Sequence, residues 1–102
     1  MKRELPRLPR VMILPAGRAK VVRKRGLQKR EQACGKCCWN TRTVTLDAAL
    51  RGNSAWLTLM HERVHMVLFD AGVTLSEEHE ERVCDAIAQD WVAEMVRKAG
   101  RA

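Results

Sequence analysis

Between Ala55 and Ala71 the apolar residues Trp56, Leu57, Met60, Val64, Val67 and Leu68 recur at helical spacing. That period belongs to an α-helix that turns one face to a core. Asn53 or Ser54 can cap its start, and Gly72 stands where helices commonly end. Two histidines, His61 and His65, fall four apart within it, with Glu62 directly after the first. Residues four apart share one helix face, so both imidazoles can reach one point.

Imidazole nitrogen is a zinc ligand, and this spacing suits one zinc ion per chain. Glu62 is turned about 100° from His61 on the helical wheel, so it points beside such an ion rather than at it. A general base that takes a proton from metal-activated water belongs in that position. The pattern His-Glu-x-x-His on a helix therefore carries a mechanism, with Glu62 catalytic and His61 and His65 as ligands. A catalytic zinc takes a third protein ligand and leaves one position open. The extended pattern with a third histidine is absent, because Leu68 and Ala71 hold the glycine and histidine places.

The next helix supplies candidates. Thr74 or Ser76 can start it, and it is expected to run to about Lys98. Its apolar stripe is Val83, Cys84, Ile87, Trp91 and Met95. Glu80 shares that face, and a carboxylate at the inner end of a buried stripe is costly unless paired or bound to metal. Glu80 is the preferred third ligand and Glu77, one turn earlier, the alternative. His79 and Glu81 rank below them. The same acids also suit the positive end of a helix.

Four cysteines, Cys34, Cys37, Cys38 and Cys84, form a rival site. Cys34 and Cys37 make one C-x2-C, half of a structural zinc site or a redox dithiol. Cys84 and a histidine would have to complete it. The plainer expectation buries Cys38 and Cys84 as small core residues and leaves Cys34 exposed. The N-terminus reads as no secretion signal, so reduced thiols in a cytoplasm are expected.

Charge is uneven along the chain. Residues 1–30 hold eleven Lys or Arg and one acid, a net of +10, whereas residues 31–102 hold eight against eleven acids, a net of −3. A basic stripe suits DNA or an acidic partner as well as it suits a solvated tail. No aromatic residue interleaves it, which disfavours single-strand stacking. No run of about 18 apolar residues is present, so no membrane partner is expected.

Residues 1–9, with Pro6 and Pro9, read as a basic arm, and 10–102 as the folded domain. Strands are expected at 10–14, 19–24 and within 37–46, where Thr41, Thr43 and Thr45 alternate with apolar or basic residues. Residues 27–33 read as a short helical turn. The fold class is α/β of the α+β kind: a small, mostly antiparallel sheet packed on the histidine-bearing helix and a C-terminal helix.

Gly35-Lys36-Cys37, the strand 41–46, Leu59 to His65, and the acidic helix start Glu77 to Val83 occur in an order that resembles the small phage-encoded relatives of the ImmA/IrrE zincin-like metallopeptidases. The likeness spans about residues 30–95. It implies a minimal zincin-like domain in which His61, His65 and Glu80 hold zinc and Glu62 is the base. It also implies a peptide or protein substrate, such as a repressor, and a host-cell cytoplasm if phage-encoded. Val83-Cys84 stands where those relatives carry Ala-Asn, and the interval from His65 to Glu80 is short. Arg63 and Arg82 are the candidate oxyanion helpers. The alternative is a nucleic-acid-binding or regulatory module with structural zinc.

Overall fold

A computed structural model describes residues 5–101. The order is β1 (Val11–Leu14), β2 (Gly17–Lys24), α1 (Leu27–Glu31), β3 (Gly35–Cys38), β4 (Thr43–Asp47), α2 (Gly52–Asp70) and α3 (Glu77–Arg101). This is an α+β fold. The strands make one sheet in the order β1-β2-β4-β3. Two of its three pairings, β1 with β2 and β3 with β4, are antiparallel; β2 and β4 run parallel. The parallel pair arises because the chain crosses over through α1 and β3 before β4 returns beside β2. No two-residue turn could join them that way.

Strand alternation sets two faces. Met12, Leu14, Ala19, Val44 and Leu46 turn inward and are buried, which is the period-two signal of a half-covered sheet. Residues 37–46, expected as one strand region, are two strands and a tight turn. Arg42 takes the left-handed conformation there (φ 51°), and its N–H donates to the Trp39 carbonyl at 3.1 Å. Asp47 is buried at the end of β4 and accepts the N–H groups of Gln28 and Ala49, both at 2.8 Å. It thereby caps α1 from across the chain.

Helix α2 packs on the inner face of the sheet and on α3. It starts three residues earlier than expected, and neither Asn53 nor Ser54 caps it; both lie inside. Its end follows expectation. Gly72 is left-handed (φ 72°), and the N–H groups of Gly72 and Val73 bond back to Phe69 and Leu68 at 3.0 Å, a Schellman arrangement. Helix α3 is capped by Ser76, whose Oγ accepts the His79 N–H at 3.2 Å.

The α3 seam differs from the expected stripe. Cys84, Ala88 and Val92 are buried, whereas Ile87 and Trp91 are each 42% exposed. Small residues on a four-residue period let the two helices approach closely, and that contact wins over burying the larger side chains beside it. Of the expected arm, residues 1–4 lie outside the described residues, and 5–9 carry no regular structure. Leu5 and Leu8 pack on the core, and the Pro6 carbonyl accepts the Trp56 indole N–H at 2.8 Å. No helix among the described residues is long and apolar enough to cross a membrane.

Candidate metal centre

His61 and His65 project from one turn of α2 toward the start of α3. Their Nε2 atoms stand 3.1 Å apart. Two nitrogens held 2.0–2.1 Å from one tetrahedral ion would stand about 3.3 Å apart, so the spacing is that of a ligand pair. The other nitrogen of each ring meets a carboxylate from α3. His65 Nδ1 lies 2.5 Å from Glu80 Oε2, and His61 Nδ1 lies 2.7 Å from Asp85 Oδ1. A carboxylate behind Nδ1 orients the ring and is the usual arrangement behind metal-binding histidines.

Glu81 closes the arrangement. Its two carboxylate oxygens stand 3.0 Å from the two Nε2 atoms, one on each. Two ring nitrogens and two carboxylate oxygens thus converge on one point, atoms of the kind that hold a metal ion. Cys84, fully buried, adds a sulfur within 4.8 Å of a ring nitrogen of each histidine. Among the described residues, the ligand atoms of His61, His65 and Cys84 lie within 4.8 Å of one another and could hold a metal ion.

Glu62 sits on the sheet side of α2 and is buried. Desolvation pushes its carboxyl above the ordinary range, and the neighbouring histidines pull it back only in part. Cys37, on the inward side of β3, is its thiol neighbour. Burial, with the Glu62 charge adding, pushes that thiol up to about 12, so it is a neutral S–H donor to Glu62 rather than a thiolate. Burial likewise raises the Cys84 thiol to about 12, with the Glu80 and Glu81 charges adding.

These groups open on a cleft of about 590 Å³ lined by Gly35, Lys36, Cys37, Trp39, His61, Glu62, His65, Met66, Phe69, Val73, Glu80 and Glu81. One wall is β3, which is an edge of the sheet. The Asp47 N–H donates to the Cys34 carbonyl at 2.8 Å. By antiparallel alternation Lys36 and Cys38 then bond β4, and Gly35 and Cys37 turn their N–H and C=O groups to the open edge. Trp39 and Phe69 pack against each other on the cleft rim, 4.2 Å between centroids and tilted by 41°.

The structure brings together His61, Glu62, His65 and Glu80, and places Glu80 on the Nδ1 side of His65. Glu77 is exposed on the first turn of α3, away from the cleft lining. His79 engages Ser76 at 2.9 Å. Arg63 turns to the Ile13 carbonyl and the Trp91 ring, and Arg82 pairs with Glu78; neither lines the cleft. Cys34 is half-buried, Cys37 faces Glu62 and Cys38 is exposed, the reverse of its expected burial. Pleating explains this: Gly35 and Cys37 face α2, so Cys38 must face out. Sequence reasoning missed Asp85 and underranked Glu81. The signal was present, since Glu81 and Asp85 are four apart and share a helix face.

Searches against protein-family models, curated proteins and solved structures each find no match.

Proposed function

We propose that this chain is a zinc-dependent metallopeptidase that hydrolyses a peptide bond in a protein target. The observation that carries the reading is the convergence of the two histidines of His61-Glu62-x-x-His65 on one point, with the Glu62 carboxyl buried in the same cleft. His61, His65 and Glu81 would hold the ion, with Glu80 and Asp85 orienting the two rings. Zinc there supplies Lewis acidity, which activates water and polarises a carbonyl.

The chain's own groups do the rest. Glu62 accepts a proton from water and returns it to the departing amine; burial raises its proton affinity above that of a free carboxylate. The Cys37 thiol holds that carboxylate in place. The open N–H and C=O groups of Gly35 and Cys37 pair with an extended peptide as an added strand. Trp39, Phe69 and Met66 supply apolar surface along it.

The test is Glu62→Gln, with cleavage of a peptide library read by mass spectrometry. Hydrolysis should fall by roughly 10²–10⁴-fold while zinc content and fold stay as in wild type. Unchanged hydrolysis in this variant would end the catalytic assignment. Cys84 supports a second reading. Were its sulfur to join His61, His65 and Glu81, four protein ligands would close the site, as in structural zinc centres. Cobalt substitution distinguishes the two, because a thiolate ligand gives a charge-transfer band that Cys84→Ser removes.

A further inference from the structure

The outer face of the sheet is uncovered over β1 and β2. Its residues follow from alternation and register. Val11, Lys20, Thr43 and Cys38 form one cross-strand row; Val22, Thr45 and Lys36 form the next; Ile13 and Arg18 stand beside each other at the hairpin end. Val11 and Ile13 are 45% and 66% exposed, and Arg18, Lys20, Val22 and Lys24 are exposed as well.

The segment that carries these strands is of one charge sign. Residues 5–30 hold nine Lys or Arg and no acid, and among the described residues none of the nine forms an ion pair. The nearest acids are engaged: Asp47 accepts two backbone N–H groups and Glu31 pairs with Lys36. The acids Glu77, Glu78, Glu80, Glu81, Asp85, Asp90 and Glu94 lie on α3, which packs on α2 rather than on this face. The molecule is therefore charge-polarised across its thickness.

We propose that this open sheet face docks double-stranded DNA through its phosphates, without reading base sequence. Arg18, Lys20 and Lys24 stand on the outward side of one rigid strand, with Arg18 and Lys20 about 6.6 Å apart and Lys24 about 13 Å further on. A fixed linear array of cations, with no acid partner among the described residues, matches the regular charge of a duplex backbone. Thr45 adds a hydroxyl of the kind that contacts phosphate. Single strands are disfavoured because the face carries aliphatic Val11, Ile13 and Val22 and no aromatic ring on which bases stack. Docking there leaves the cleft on the far side of β3 accessible and needs no metal.

Deleting residues 1–30 would be no test, since it removes β1 and β2. The experiment is titration of the full chain against a labelled DNA duplex at several salt concentrations, for wild type and for Arg18→Gln, Lys20→Gln, Lys24→Gln combined. The triple variant should bind about tenfold or more weakly, and its log–log salt slope should be shallower by about 2.7, near 0.9 per lost phosphate contact. Circular dichroism should be unchanged, because the three side chains are exposed. An equal number of substitutions on α3, Arg82→Gln, Arg97→Gln and Lys98→Gln, should leave affinity within about twofold. Unchanged affinity of the sheet variant would overturn the proposal. So would tighter binding to single-stranded DNA, to duplex RNA or to anionic phospholipid vesicles than to duplex DNA.

Discussion

Gly35→Ala is the sharpest probe of how the cleft is built. A Cβ at Gly35 would stand 2.6 Å from Thr58 Cγ2, 3.0 Å from Leu46 Cδ2 and 3.3 Å from the Thr45 carbonyl oxygen. Carbon atoms rest at about 3.5–4.0 Å, so the methyl lacks about 1 Å against Thr58. Thr58 belongs to α2, one turn before His61, and Leu46 is the partner of Gly35 across the sheet. The edge strand or the helix must move. Overpacking of this kind costs about 1–3 kcal/mol. Alanine recovers about 0.5–1 kcal/mol in a strand because it is less free when unfolded, so a net loss near 1 kcal/mol is expected. For a domain of this size that is about 4–8 °C in Tm. The assay is urea and thermal unfolding by circular dichroism, with Thr58→Ser as the compensating change. Serine lacks the clashing methyl, so the double variant should recover about half or more of the loss, a coupling of at least about 0.5 kcal/mol. If Gly35→Ala were as stable as wild type, or if Thr58→Ser gave no recovery, the close approach of β3 to α2 would be refuted.

Three further outcomes are expected. Leu59→Ala, at a fully buried position between α2 and the sheet, should cost about 2–5 kcal/mol by urea denaturation; a loss under about 1 kcal/mol would mean the core is not where the fold puts it. Glu80→Gln and Asp85→Asn should each weaken zinc affinity by about 10–100-fold yet keep one ion per chain at saturation, whereas His61→Ala should remove it; equal stoichiometric loss in all three would make the carboxylates ligands rather than orienting groups. The Arg42 guanidinium and the Trp39 N–H hold the Asp70 carboxyl below its ordinary range. A lowered acid stabilises the fold above its unfolded value, near pH 4, and that contribution is lost as pH falls through the lower folded value. Melting temperature should therefore drop more steeply below about pH 4 in wild type than in Asp70→Asn; parallel curves would show that the pair does not stabilise the fold.

Local pattern determined much of this protein. The helical period from Trp56 to Leu68, the stop at Gly72, the Ser76 start and the alternation around Thr43 and Thr45 each depend on residues within a few positions of one another. Spacing alone put His61 and His65 on one face and Glu62 beside them, for the same reason. The tertiary structure decided what no short window contains. It placed β4 parallel to β2, because the crossover through α1 and β3 sets that order. It rotated the α3 seam to Cys84, Ala88 and Val92, because close helix packing selects small side chains over the larger Ile87 and Trp91. That rotation, a property of two helices together, put Glu81 at the Nε2 atoms, Cys84 within 4.8 Å of a nitrogen of each ring, and Glu80 and Asp85 behind the rings. It also brought Cys37 to Glu62 across some 25 residues of chain, and set Arg18, Lys20 and Lys24 along one face of a sheet.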